Sequence, residues 1–174
     1  CIAHYSALRR SGINVDVISR DADLSAYKLV CAPMLYMLPE NTAQRLRSFV
    51  ENGGTLLATY LTSYVNENDL CHLGGFPGGL KDVFGIWNEE IDSLYDENAV
   101  ISGGHEYAVR DFCERIHPAD DTEVLGVYKS GFYAGEPAVT RHTFGEGTAY
   151  YIASRTGQEH LKDVYGGILS ELGI

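Results

Sequence analysis

The chain is short of basic residues, of cysteine motifs and of long apolar runs. Thirteen Lys and Arg stand against 24 Asp and Glu in 174 residues, a formal net charge of −11. Binding to DNA or RNA draws on clustered cations that displace counterions from phosphates. The charge balance therefore argues against nucleic acid and against an anionic membrane surface as partners. No stretch reaches the roughly eighteen apolar residues a membrane-crossing helix needs. Cys1, Cys31, Cys71 and Cys113 form no Cys-x-x-Cys pair and no zinc-type Cys/His spacing. With no Asn-x-Ser/Thr acceptor site either, the expectation is a reducing cytoplasm and no structural metal. No basic-then-apolar leader opens the sequence, which starts at Cys1.

Motifs of chemistry are missing too. No Gly-x-Ser-x-Gly or Gly-x-Cys-x-Gly elbow occurs, and bulky Tyr60 and Leu61 fill the one strand end where an elbow could sit. The paired glycines complete neither Gly-x-Gly-x-x-Gly nor a phosphate-binding loop with its lysine. His105-Glu106 lacks a second histidine, and Cys71 beside His72 is a poor nucleophile–base geometry. Glu89 to Glu97 holds Glu89, Glu90, Asp92, Asp96 and Glu97 without the alternate ligands and Gly turn of a calcium loop, so it reads as a solvated face. Neither Glu67 with Asp69 nor Asp92 with Asp96 stands out from an acidic surface as an acid/base pair. The residues alone thus yield no catalytic group, cofactor site or metal ligand.

What is present describes one globular domain over residues 1–174, with 45% hydrophobic and 21% charged residues. Ile2, Tyr5 and Leu8 predict a helix over 2–11 that stops at Gly12. Ile13, Val15 and Val17 alternate as in a strand. Leu29 to Ala32 reads as a buried strand, and Pro39-Glu40 opens a helix whose Ala43, Leu46, Phe49 and Val50 share a face. Thr55 to Tyr60 is the next strand, completing a βαβ unit with a parallel crossover. A long loop follows over 61–79, and long ordered loops tend to carry function. A short helix is expected over Leu80 to Phe84. Residues 99–153 read mostly as strands, with a hairpin at Gly145-Glu146-Gly147. Leu161, Val164, Tyr165, Ile168, Leu169 and Leu172 predict a terminal helix. A helix therefore precedes any strand, so a first strand is expected upstream of Cys1, and its absence leaves an open sheet edge.

Several segments together resemble the trimerisation domain of glycoside hydrolase family 42 β-galactosidases. They are Leu24 to Pro39, Phe49-Val50-Glu51-Asn52-Gly53-Gly54-Thr55, Val65-Asn66-Glu67-Asn68-Asp69-Leu70, and Leu73-Gly74-Gly75-Phe76-Pro77-Gly78. Tyr5, Ala7 to Arg10, Val15-Asp16-Val17 and the hairpin from Gly135 through Ala153 are also similar. The Asn-Glu-Asn-Asp to Gly-Gly-Phe-Pro-Gly block is the specific part.

The resemblance implies an α/β fold, flavodoxin-like or class I glutamine amidotransferase-like. That is a three-layer sandwich with a mostly parallel sheet, lacking the amidotransferase cysteine elbow and its His-x-Glu partner. It implies a parent bacterial enzyme whose catalytic glutamates sit in a separate (β/α)8 barrel. This chain would be inert, would join that barrel to neighbouring subunits of a homotrimer, and would meet galactoside only through the barrel. Tyr64, Asn66, Glu67, Asn68, Asp69 and Phe76 are the expected interface or active-site rim. Phe76 can equally be read as a plug for its own core. An amidotransferase-like hydrolase and a sugar-binding module are the other two readings of the chain.

Overall fold

A computed structural model describes residues 1–94 and 98–174, so Asp96 and Glu97 lie outside the described residues. The helices are α1 (Ile2–Arg10), α2 (Glu40–Glu51), α3 (Lys81–Phe84) and α4 (Gln158–Glu171). The strands are β1 (Leu29–Ala32), β2 (Thr55–Thr59), β3 (Ile86–Ser93), β4 (Asn98–Ser102), β5 (His105–Pro118), β6 (Glu123–Tyr128), β7 (Pro137–Phe144), β8 (Gly147–Ile152) and β9 (Ser154–Thr156). They form one sheet in the order β1-β2-β8-β7-β6-β4-β5-β3, with β9 also pairing β5.

The sheet is mixed and mostly antiparallel, which corrects the expectation of a mostly parallel one. Only β1 with β2 and β2 with β8 run parallel; the other ladders among the described residues are antiparallel. Connection length is the reason. Gly103-Gly104 joins β4 to β5 and Gly145-Glu146 joins β7 to β8. Two-residue links can join only antiparallel neighbours. Gly103 and Gly104 both take positive φ (57° and 79°), as such a hairpin requires.

The segment 13–17 forms no strand, a second correction. Ile13 and Val15 lean on the core, but Val17 is 86% exposed. Alternation gives a segment two faces; a strand also needs a neighbouring edge to bond, and among the described residues β1 pairs only with β2.

Two apolar clusters lie on opposite faces of the sheet. One gathers Ala7, Leu8, Leu161, Tyr165 and Ile168 from α1 and α4 against Leu57, Tyr150 and Ile152. The other gathers Ala43, Leu46 and Val50 of α2 with Val83 and Phe84 of α3 against Leu56, Ala58 and Tyr151. Adjacent β2 residues thus point to opposite layers, and all five are buried. Phe49 of α2 is only partly buried against the second cluster. No helix among the described residues is long and apolar enough to cross a membrane.

Candidate functional site

β1 and β2 end side by side, and the chain leaving each is strained in the same way. Met34 after β1, and Leu61 and Ser63 after β2, take left-handed φ values of 51°, 57° and 55°. A side chain with a Cβ adopts that conformation only when surroundings enforce it. At Met34 the N–H donates to Thr59 Oγ1 at 2.8 Å. At Leu61 the N–H donates to Glu114 Oε1 at 2.7 Å. The chain therefore makes a tight left-handed turn at the strand end where a nucleophile elbow would sit, with leucine in it.

Glu114 of β5 is fully buried. Its Oε1 also accepts the Tyr64 hydroxyl at 2.9 Å, and Oε2 accepts the Tyr151 hydroxyl at 2.8 Å. Asn88 of β3 donates from Nδ2 to the Tyr64 oxygen at 2.7 Å. Burial pushes the Glu114 carboxyl up to about 6, against the opposing pull of these donors.

The Tyr64 ring, half-buried, is the middle of a three-ring stack. Phe76 lies 4.0 Å away at 11°, and Tyr36 lies 6.1 Å away at 14°. Backbone bonds hold the segments together: Tyr64 N–H donates to Tyr36 O, Leu38 N–H to Val65 O, and His72 N–H to Tyr64 O. Phe76 belongs to neither apolar cluster, so it stacks within the loop and does not plug the core.

Asn66, Glu67, Asn68 and Asp69 form the tip of a small hairpin. Asn66 Oδ1 accepts the N–H of Asn68 and of Leu70, and Asp69 takes a φ of 59°. Glu67, Asn68 and Asp69 are exposed. Apolar side chains stand in water just after the tip, with Leu73 100% and Leu70 61% exposed, and just after β1, with Met34 51% and Met37 40% exposed.

Cys71 and His72 belong to the same loop, and Glu89, Glu90 and Asp92 of the acidic run lie on β3. Cys71 is exposed, and His72 is packed beside Gly78 with its Nε2 lacking a partner. In the described part of the acidic run Glu89 and Glu90 are exposed, a solvated face that also carries ion pairs. Arg115 binds Glu136 through two bonds and lies within 3.3 Å of Glu89 and 3.5 Å of Glu90, while Asp92 accepts the Tyr133 hydroxyl.

The family model described as the β-galactosidase trimerisation domain matches residues 1–174. The chain belongs to that family. β-Galactosidase Pbg of Clostridium perfringens is 50% identical over 181 residues, covering 99% of this chain and 26% of the relative. BglY of Alicyclobacillus acidocaldarius is 42% identical, covering 99% of this chain and again 26% of the relative. Among solved structures, the β-galactosidase from Rahnella sp. R3 aligns with a TM-score of 0.94 at 46% identity over 98% of this chain and 26% of that one. Gan42B, a GH42 β-galactosidase from G. stearothermophilus, aligns at 0.95 and 41% identity over 99% of this chain and 25% of that one. The chain thus spans about a quarter of the length of its relatives.

Within this trimerisation domain, four participants escaped the sequence reading: Glu114, Tyr151, Asn88 and Tyr36. Glu114 left one signal. Phe112, Glu114 and Ile116 share a phase on β5, so a carboxylate stands where alternation calls for an apolar side chain.

Proposed function

We propose that this chain is the non-catalytic oligomerisation domain of a bacterial retaining β-galactosidase acting on terminal β-D-galactosides in the cytoplasm. Its partners are the catalytic barrel of the same polypeptide and the neighbouring subunits of a homotrimer. Galactoside contacts the assembly through the barrel. In a ring trimer every subunit presents two different patches. The loop from Tyr64 to Phe76 is one of them, and it walls the neighbouring subunit's sugar pocket. The segment β1-α2-β2 with β8 is the flavodoxin-like, amidotransferase-related part, and the antiparallel strands extend it.

One observation carries this reading. Open α/β sheets hold ligands beyond the carboxyl ends of their parallel strands. Here that end is filled by side chains bonded to one another, Glu114 with Tyr64 and Tyr151, while Met34, Met37, Leu70 and Leu73 turn outward. Exposed methionine, leucine and aromatic groups edged by Asn66, Glu67, Asn68 and Asp69 have the make-up of an interface centre with a polar rim.

The test is Phe76→Ala in the full-length enzyme. Removing one of the three stacked rings is expected to weaken trimerisation about tenfold or more, the effect of losing an aromatic anchor. Galactoside KM should rise with it. A Phe76→Ala enzyme that stays trimeric on dilution with unchanged kinetics overturns the interface assignment.

A further inference from the structure

The turn that ends β2 is arranged to receive an anion. The left-handed conformation at Leu61 aims its N–H into the protein, and the Tyr64 and Tyr151 hydroxyls converge on the same spot. Three donors meeting at one buried point repel each other electrostatically unless something negative or strongly accepting sits between them. Glu114 reaches in from β5, 53 residues from Leu61 in sequence, and its two oxygens accept all three. Its own backbone is tied to the neighbouring strand end, with the Glu114 N–H donating to Ala153 O at 2.8 Å. The carboxylate is thus held on a fixed strand while the donors on the loop come to it.

We propose that Glu114 is an internal anion filling a socket made by the Leu61 N–H and the Tyr64 and Tyr151 hydroxyls, and that filling it sets the shape in which the loop presents its assembly face. Glu114 is then a positioning residue. It acts through Tyr64, whose ring is the middle of the Tyr36–Tyr64–Phe76 stack. The last clause rests on the assembly reading above; the socket itself does not.

The two parts separate in one experiment on the full-length enzyme. Glu114→Ala empties the socket, and sodium formate is the probe, with sodium chloride at equal ionic strength as control. Hydrogen exchange of the peptide holding Leu61 to Tyr64 reads the socket; dilution mass measurements read the trimer. The expected result is loss of exchange protection by tenfold or more and weaker trimerisation by a similar factor, both recovered in formate and neither in chloride. Glu114→Gln, which keeps one carbonyl oxygen as acceptor, should lie between the two and ignore formate.

Loss of protection that formate cannot restore overturns the socket, since a merely space-filling role gives no rescue by a small carboxylate. Protection lost and restored while the trimer stays as tight as wild type overturns the link to assembly and leaves the socket standing. Should Glu114→Ala fail to fold, the cycle of Tyr64→Phe, Glu114→Gln and their double variant takes its place. Strictly additive effects on exchange then overturn the proposal, because groups sharing one hydrogen-bond cluster must couple.

Discussion

Tyr64 and Phe76 lie face to face, 4.0 Å between ring centroids and 11° from parallel, at opposite ends of the loop that follows β2. The contact closes the loop on itself. It also joins a ring tied to the buried Glu114 carboxylate to a ring whose backbone is tied to β3, where the Phe76 carbonyl accepts the Asn88 N–H at 2.9 Å.

Tyr64→Phe keeps the stack and deletes one hydroxyl. Glu114 loses a donor and Asn88 Nδ2 loses its acceptor. Unfolding by urea should show a loss of about 1–2 kcal/mol, the ordinary effect of removing one partner from a buried bond. Tyr64→Leu should cost more, because the stack goes as well.

Leu73 touches water on all sides of its side chain, with 100% exposure. Replacing it with serine is expected to move the stability of the isolated subunit by less than about 0.5 kcal/mol. The same change should measurably weaken trimerisation of the full-length enzyme. Equal trimer affinity in Leu73→Ser and wild type would remove Leu73 from the interface.

Gly147 opens β8 beneath α2. A Cβ there would run into the backbone oxygens of Val50 and Gly54. Backbone cannot rotate aside as a side chain can, so Gly147→Ala should destabilise by about 3 kcal/mol or more, at the upper end of overpacking effects. Calorimetry of the variant checks it. Gly103→Ala meets nothing within 4 Å and suffers only from its positive φ, so it should cost less, about 1 kcal/mol.

Acid stability follows from three buried groups. Burial holds the His4 and His160 imidazoles down to about 4. In the unfolded chain histidine takes its proton near 6.5, so between pH 6.5 and 4 the unfolded state binds more protons. Stability therefore falls as the pH drops through that window, by up to about 3 kcal/mol for each histidine. Glu114 runs the other way. Its carboxyl is raised from 4.5 to about 6 by burial, so the folded state holds the extra proton and this group's contribution grows as pH falls from 6 to 4.5. Urea midpoints measured against pH should fall below pH 6.5, less steeply in a His4→Gln, His160→Gln double variant and more steeply in Glu114→Gln. A flat profile from pH 7 to 4 would contradict the neutral, buried state of both histidines.

Much of the fold was legible in local pattern. The 3.6-residue stripes of α2 and α4, the apolar runs of β1 and β2, and the glycines between β7 and β8 each identify an element from a dozen residues or fewer. The loop over 61–79 was legible as a region of interest, and Tyr64 and Phe76 as members of it. The exposed face of Glu89 and Glu90 was legible as well, but its ion pairs were not, because Arg115, which gathers Glu89, Glu90 and Glu136, comes from a different strand.

The amino-acid order by itself determined where helices and turns fall, which faces are apolar, and the family likeness carried by the Asn66 to Gly78 block, since all of these depend on neighbours along the chain. Strand direction, the unpaired course of residues 13–17 and the Glu114 socket were decided only in three dimensions. Each depends on which edges and side chains meet across the sheet, as Leu61, Tyr64, Asn88 and Tyr151 meet around one carboxylate. A residue's one-dimensional pattern states what it can bury; only the packed chain supplies the donors that make burying a charge tolerable.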